Sequence, residues 1–598
     1  MLNFPHVPSW WKEGTKFMKL QKPFTPPDYI VGYDTETYGG QILTQQFCTT
    51  RYKRNERRDC IQWINKINVL DKFLRYIEGL HGYIVVYCFN ATFDLAILLR
   101  QYIDKFLQDD FQLRHETSHG TVWDINIFCS KNWYGYFKSG NLFVSFLDIH
   151  NYFTGTLETV AETFNLKSKK LERPKDLGTY KYTAKDTKFV EYAQMDALLC
   201  LEIGEVIIDM HEEFDIPFST SSANFAEKVF RRKFIPEDRK IHFPPFSACR
   251  LAEITYHGGK NGYYIDNPSV IHHCYEYDFN AAYGFAMYSI PSFMAGRYKQ
   301  VDRFIDGKPG VYEVTGNIKS CKYGIFYDTR FNYFRFPSTQ KIRAYVTSYE
   351  LEEAIRSKEF KIDTCKGWIW IPDTNDNPVK EYARYFWEKK NSTPKHDVRY
   401  IFYKLLLNSL YGKWIQRNPA RKPKYTYSQG QFQLFPRKDV SGGLYNPFIA
   451  SLITGFTRAR LHEAEHYFSA IESSTDSVKS RKYDSYASKI KQFGVMQLEK
   501  LKCKECDIQP KSFTGLFVRN RLNLLMCNKQ HVMKYALHGF WGKPDVLKEL
   551  WKKKENWYTI ERMPLIREGI KQQGKDLFMM HTEERTLNIS WENLKIVK

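Results

Sequence analysis

The chain has 598 residues, with 88 Lys+Arg against 67 Asp+Glu and a formal charge of +21. That length builds a hydrophobic core without disulfides and suits three or four domains, and the charge selects a polyanionic partner. Nucleic acid is favoured over membrane: no run reaches the ~18 apolar residues of a spanning helix, and residues 1–14 hold no signal-peptide core, so a cytoplasmic location is expected.

Residues 29–40, YIVGYDTETYGG, predict a strand on which Asp34 and Glu36 share one face. A second strand at 83–89 runs into Asn90-Ala-Thr-Phe93-Asp94 and an apolar helical stretch. Asn90 is placed to cap that helix, with Asp94 at the strand-to-helix junction. Residues 189–207 predict a helix with Tyr192 and Asp196 one turn apart. Three acids from separate elements, plus Glu36, suit two divalent ions about 4 Å apart, with Tyr192 orienting the attacking water. The basic clusters at 51–58, 166–170 and 551–557 lie among aromatic residues, and read as nucleic-acid grooves or as solvated faces.

YHGGKNGYY at 256–264 sets Tyr256, Gly258 and Gly259 in a hinge beside a nucleic-acid channel, or in a plain turn. An aromatic strand at 274–288 ends at Asp278 and leads to Tyr283. In YKLLLNSLYGKW at 403–414, Lys404, Asn408 and Tyr411 fall on one helical stripe; Lys389, Lys390 and Arg399 upstream are further phosphate ligands or solvated charges. AIESSTDSV at 470–478 puts Glu472, Ser474 and Asp476 on one face of a regular strand, where Glu472 would supply negative charge. Of twelve cysteines the close pair is Cys503 and Cys506, without a second ligand pair at similar spacing, so free thiols are expected rather than a metal cluster. His272, His273 and Cys274 are expected to be packing residues.

Asp34-x-Glu36, Asn90-x-x-Phe93-Asp94 and Tyr192-x-x-x-Asp196, in that order, resemble the motifs of DEDDy-type 3'-5' exonucleases of RNase H-like fold. Lys404-x-x-x-Asn408-Ser409-x-Tyr411-Gly412 resembles motif B of family B DNA polymerases, with motif A at Asp278 and motif C at 474–476. The whole is most similar to the protein-primed family B polymerases of phages and linear plasmids. The fold so implied is α/β and α+β, an RNase H-like exonuclease followed by a right-hand polymerase. Its implied divisions are an N-terminal extension (1–28), exonuclease (29–215), connector (216–262), palm (263–300 and 443–499), fingers (373–415), and thumb with C-terminal region (500–598). Two insertions, at 301–372 and 416–442, would grip a terminal protein and confer processivity. The early first motif leaves no room for the N-terminal domain of cellular replicases.

The resemblance implies metal-binding roles for Asp34, Glu36, Asp94 and Asp196 in one site and Asp278 and Asp476 in the other. Each site would take two Mg2+ ions, or Mn2+. Lys170 would sit near the exonuclease scissile phosphate. Phe279, Tyr283, Lys390, Lys404, Asn408 and Tyr411 would bind the nucleotide. Thr37, Asn90, Phe93, Tyr256, Gly258, Gly259, Ser409, Gly412, Thr475 and Lys534 would contact DNA. A Lys-x-Tyr primer element has Lys511–Phe513, residues 519–525 and Lys534–Tyr535 as candidates. Two departures stand out: Ala281-Ala282-Tyr283-Gly284 replaces Ser-Leu-Tyr-Pro, and Ser474 replaces the first motif C aspartate.

The implied function is DNA-directed synthesis with proofreading of a viral or linear-plasmid genome, started on a terminal protein and proceeding with strand displacement. Template and primer DNA, deoxynucleoside triphosphates, a terminal protein and a single-strand binding protein are the implied partners. A family B polymerase without protein priming, an exonuclease with a silent polymerase half, and a structural nucleic-acid binder are the alternatives.

Overall fold

The computed structural model describes residues 19–20, 22–54, 56–64, 69–129, 132–237, 241–327, 336, 338–418, 424–428, 431–435, 440–563, 565–571 and 581–597, with backbone alone across 417–441. Among the described residues no helix is long and apolar enough to cross a membrane.

The first body is an eight-stranded sheet. Its centre is three parallel strands, Tyr29–Tyr38, Tyr83–Cys88 and Leu142–Asp148, flanked by antiparallel neighbours. Parallel strands buried on both faces read as near-continuous apolar runs, as YIVVYC does. The long helix Thr187–Glu213 lies on one face. Gly32 permits that approach, because a Cβ there would meet the Ala197 carbonyl at 1.9 Å. The contact sets Asp196, one residue before Ala197, over Asp34, two residues beyond Gly32.

The second body centres on the strand Ser269–Phe279. It pairs antiparallel with Ser477–Ser480, Met496–Leu498 and Phe513–Arg519, and parallel with Lys595–Val597. Glu472–Ser474 and Ser477–Ser480 form a tight hairpin, and Asn261–Tyr263 adds to its outer edge. Two helices, Pro378–Ser392 and Val398–Ser409, pack side by side. Their first turns are capped by Asn377, which accepts from Val379 and Lys380, and by Asp397, which accepts from Arg399.

Within 301–372 the chain builds most of a four-stranded sheet whose outer strand is Gly296–Val301, with the helix Ser348–Arg356. Residues 328–335 and 337 of that span lie outside the described residues. The described backbone of 416–442 holds two antiparallel pairs, Arg417–Asn418 with Val440–Ser441 and Lys424–Ser428 with Gln431–Phe435. The C-terminal region returns to the first body: Arg567 donates to the carbonyls of Phe106, Gln108 and Cys129 and pairs with Asp109.

Arg51, Lys53 and Arg57 are engaged by Tyr29, Glu212 and Asp59, and Lys552 by Glu549. Arg399 faces Glu213 at 3.8 Å. His272 is half-buried and bonds to Thr514, as a packing residue does, whereas His273 is exposed and left-handed (φ 56°), contrary to that expectation, with its ring on Ser512. None of the twelve cysteines, all among the described residues, is in a disulfide. The expectation that Cys503 and Cys506 lack a second ligand pair fails, because Cys527 and His531 converge on them.

Candidate active sites

In the first body Asp34, Glu36 and Asp196 each offer a carboxylate oxygen within 4.8 Å of the others. Burial, then mutual repulsion, pushes Asp34 up to about 8 and holds Glu36 well above the usual carboxylate range. Gln46 donates to Asp34 at 2.5 Å, and Lys170 donates to Asp196 at 2.6 Å while standing 5.4 Å over the Tyr192 ring. The other oxygen of Asp196, Oδ1, is buried without a hydrogen-bond partner. An orphaned carboxylate oxygen amid crowded acids fits a divalent cation.

Asp94 is buried close enough to Asp34 to be raised by it, but its carboxylate accepts from Thr35 Oγ1 at 2.7 Å and stands outside the three-acid cluster. Asn90 occupies the N-cap position in left-handed conformation (φ 72°) without a side-chain cap bond, contrary to its expected role. Asp148 does that work, accepting from the backbone N–H of Asn90 (2.9 Å) and Ala91 (3.0 Å). Phe93 packs against the sheet core, and Thr37 follows Glu36 across a β-bulge that re-aims the strand end.

The second site is the floor of a cavity of about 1130 Å³. Asp278, next to last in its strand, stands opposite Ser477, and the Phe279 N–H donates to the Asp476 carbonyl at 2.9 Å, so the two aspartates are neighbours. Burial, then Asp476, pushes Asp278 up to about 8; burial raises Asp476 to about 6. Eight lysines line the cavity against four acids, Glu276, Asp278, Asp476 and Glu499. Lys390 is drawn down to about 8 by burial and then by Lys404, and contacts Asn280 Oδ1 at 3.4 Å. A lysine-rich wall above paired carboxylates suits a polyphosphate, and Asp278 and Asp476 are the residues that would hold divalent ions there.

Phe279, Tyr283, Lys390, Lys404, Asn408, Tyr411, Ser474, Thr475 and Lys534 all line this space. Tyr411 does so from outside the helix, which ends at Ser409; it sits in the following 3-10 turn and stacks on Tyr283 at 3.9 Å and 5°. Ser409 faces instead a smaller cavity of about 400 Å³, shared with Tyr152 and Phe153 of the first body. Gly412 has open space around its Cα. Ala281, at φ 58°, holds a left-handed conformation that costs an alanine about 1 kcal/mol.

The motif C turn departs from a regular strand. Thr475 is left-handed (φ 58°), and its N–H donates to the Lys260 carbonyl at 2.7 Å. Strand periodicity therefore stops at Ser474, and Glu472 points elsewhere. Fully buried, Glu472 accepts twice from Asn523 at 2.9 Å and pairs with Lys479 at 3.3 Å, so it does not replace the missing acid. Glu276 and Glu499 supply the nearby negative charge, and both raise Asp278 and Asp476. Ser474 Oγ donates to Asn261 Oδ1 at 3.2 Å.

The paired glycines brace this turn. A Cβ on Gly259 would stand 2.6 Å from Thr475 Cγ2, whereas Gly258 has nothing within 4 Å. Buried Arg458 donates to the carbonyls of His257 and Gly258 and pairs with Glu350 at 2.7 Å. Tyr256 is half-buried beside Tyr411 and Arg458, away from the cavity lining. Lys260 and Glu465 form a fully buried ion pair; Glu465 also accepts from Tyr264 and Ser473 at 2.6 Å each. Sequence reasoning missed this network, since its members lie some 200 residues apart. Of the primer-element candidates, Lys534–Tyr535 borders the cavity, with Lys534 paired to Glu276 at 2.8 Å and Glu499 at 3.5 Å. Phe513 and Leu522, Leu524 and Leu525 are core residues.

Phi29 DNA polymerase complexed with primer-template DNA and incoming nucleotide substrates aligns with TM-score 0.64 at 14% identity, covering 95% of this chain and 100% of that one. Phi29 DNA polymerase complexed with single-stranded DNA aligns with TM-score 0.63 at 13% identity, covering 90% and 97%. The likeness shows the fold, an RNase H-like domain followed by a palm, fingers and thumb. No curated protein matches the sequence. The family model for DNA polymerase type B, organellar and viral, matches residues 178–492, more than half of the chain, and the protein belongs to that family.

Proposed function

We propose that the chain is a DNA-directed DNA polymerase with a 3'-5' proofreading exonuclease, started on a terminal protein. The observation that carries the polymerase reading is the adjacency of Asp278 and Asp476 beneath a wall holding Lys390, Lys404, Asn408 and Tyr411. Divalent ions held by these two aspartates would supply charge neutralisation and an activated primer hydroxyl. The chain's own part is positioning. Lys390 and Lys404 neutralise the triphosphate, and the Tyr283–Tyr411 stack forms a rigid floor under the sugar and nascent base pair. Lys534, on the cavity lining beside Glu276 and Glu499, would contact the primer strand.

The exonuclease reading rests on Asp34, Glu36 and Asp196 with Asp94 behind them. Lys170 steadies charge at the scissile phosphate, and Tyr192 orients water. Strand displacement and priming by a terminal protein draw on the likeness to phi29 DNA polymerase and on the extra sheet at 301–372.

A labelled primer on a longer template, incubated with Mg2+, tests the pair of activities. Extension with nucleotides that is lost in Asp278→Ala, and shortening without nucleotides that is lost in Asp34→Ala, is the expected result. Shortening under every condition would overturn the polymerase reading. Incubation of one nucleotide with a candidate terminal protein tests priming, through a covalent protein–nucleotide product.

A further inference from the structure

Outside both acidic sites, Cys503, Cys506, Cys527 and His531 bring one ligand atom each within 4.8 Å of the others. Cys503 Sγ lies 3.0 Å from Cys506 Sγ and 3.9 Å from His531 Nδ1, and Cys506 Sγ lies 3.6 Å from Cys527 Sγ. A zinc ion about 2.3 Å from tetrahedral thiolates spaces them ~3.8 Å apart, so small shifts would seat it.

The backbone is built for such a site. Two tight turns supply a pair each: Cys503 N–H donates to the Ile508 carbonyl at 2.8 Å, and Cys527 N–H to the His531 carbonyl at 3.0 Å. Asp507, directly after Cys506, and Gln530, directly before His531, take left-handed conformations at φ 52° and 60°. Cys-x-x-Cys with a downstream Cys-x-x-x-His is structural-zinc spacing. The imidazole is oriented from outside: His531 Nε2 faces Glu505 Oε2 at 3.4 Å, which favours the tautomer whose Nδ1 lone pair points at the thiols. Cys503 and Cys527 are 1% and 0% exposed. Three sulfurs and a nitrogen, without carboxylate, suit a soft ion and not Mg2+.

We propose that these four residues bind one structural zinc ion. Each cysteine releases its thiol proton to solvent on binding, and three thiolates with neutral His531 complete the shell. The ion ties the segment leaving the palm to the hairpin between Leu522–Met526 and Val532–Leu537. Glu499 lies four residues before Cys503 and Lys534 three residues after His531, and the two are paired at 3.5 Å on the polymerase cavity. The zinc would thereby hold Lys534 in register against the palm.

The test is the metal content of the full chain, expressed with supplementary zinc and freed of loose metal by gel filtration. About one zinc per chain is expected, released by a mercurial thiol reagent, with Co2+ replacing it to give the thiolate charge-transfer and intense tetrahedral d–d bands. Cys527→Ser and His531→Ala should lose the ion, whereas Cys321→Ser, a cysteine outside the cluster, should keep it. Folded wild type without zinc, zinc retained by a Cys503→Ser/Cys527→Ser variant, or a Cys503–Cys506 disulfide in the purified protein would overturn the proposal. These readouts are independent of polymerase activity, and the mercurial and cobalt measurements on wild type stand even if a variant fails to fold.

Discussion

Adding one methyl group at Gly259 tests how the palm positions Asp476. An alanine Cβ there would meet three Thr475 side-chain atoms, Cγ2 at 2.6 Å, Oγ1 at 2.9 Å and Cβ at 3.0 Å. Rotating the threonine cannot clear all three, because Cβ itself is too near. Ordinary contact begins about 3.4 Å away, so the turn must move by roughly 0.4 Å to clear Cβ, by roughly 0.8 Å if Cγ2 keeps its rotamer, or Lys260 must release the Thr475 N–H. Asp476 is the next residue, and misplacing a catalytic group by ~1 Å costs on the order of 10²-fold in rate. Gly258 faces open space without a left-handed φ, so Gly258→Ala is the matched control. Single-nucleotide addition should fall about 10²-fold in Gly259→Ala and stay near wild type in Gly258→Ala. Exonuclease rates of both variants should be unchanged. Full activity in Gly259→Ala, or equal loss in both, would refute the reasoning.

Other outcomes follow from the same geometry. Lys170→Ala should slow shortening of single-stranded DNA by about 10²-fold, leaving extension intact, as measured in parallel gel assays. Replacing Tyr283 by valine should raise ribonucleotide incorporation by about tenfold or more, read from competition between matched ribo- and deoxynucleotides. Removing Glu472 leaves Lys479 with Glu276 at 4.0 Å and takes the acceptor from buried Asn523, so urea denaturation of Glu472→Ala should show a loss of about 1–3 kcal/mol with Mn2+ affinity unaltered. Asp34 and Asp278, raised to about 8, keep protons in the folded state that the unfolded chain gives up near pH 4. In chelator, the melting temperature should therefore fall as pH rises from about 4 to 8, and Mg2+ should restore it most at the upper end.

The acids of the first site were legible because strand and helix periods place them: Asp34 and Glu36 share a strand face, and Asp196 lies one helical turn from Tyr192. Asp94 was found by its motif, but its turn toward Thr35 depends on packing between two elements. Motif A and motif B announced the cavity through Asp278, Lys404 and Asn408. The strand pattern misled at Glu472, because one left-handed residue, Thr475, ends the alternation before Asp476. The bracing by Lys260 and Glu465, and the gathering of Cys503 and Cys506 with Cys527 and His531, are products of tertiary folding. Local spacing holds half of each.

The most direct test of the account is single-nucleotide addition to a primer-template in Mg2+ by protein whose exonuclease is disabled with Asp34→Ala. In that background Asp278→Asn should lose on the order of 10³-fold, while Ser474→Ala should stay within about threefold of the parent, since Ser474 bonds to Asn261 and two aspartates suffice. Addition by Asp278→Asn at the parent rate, or an equal collapse in Ser474→Ala, would contradict it.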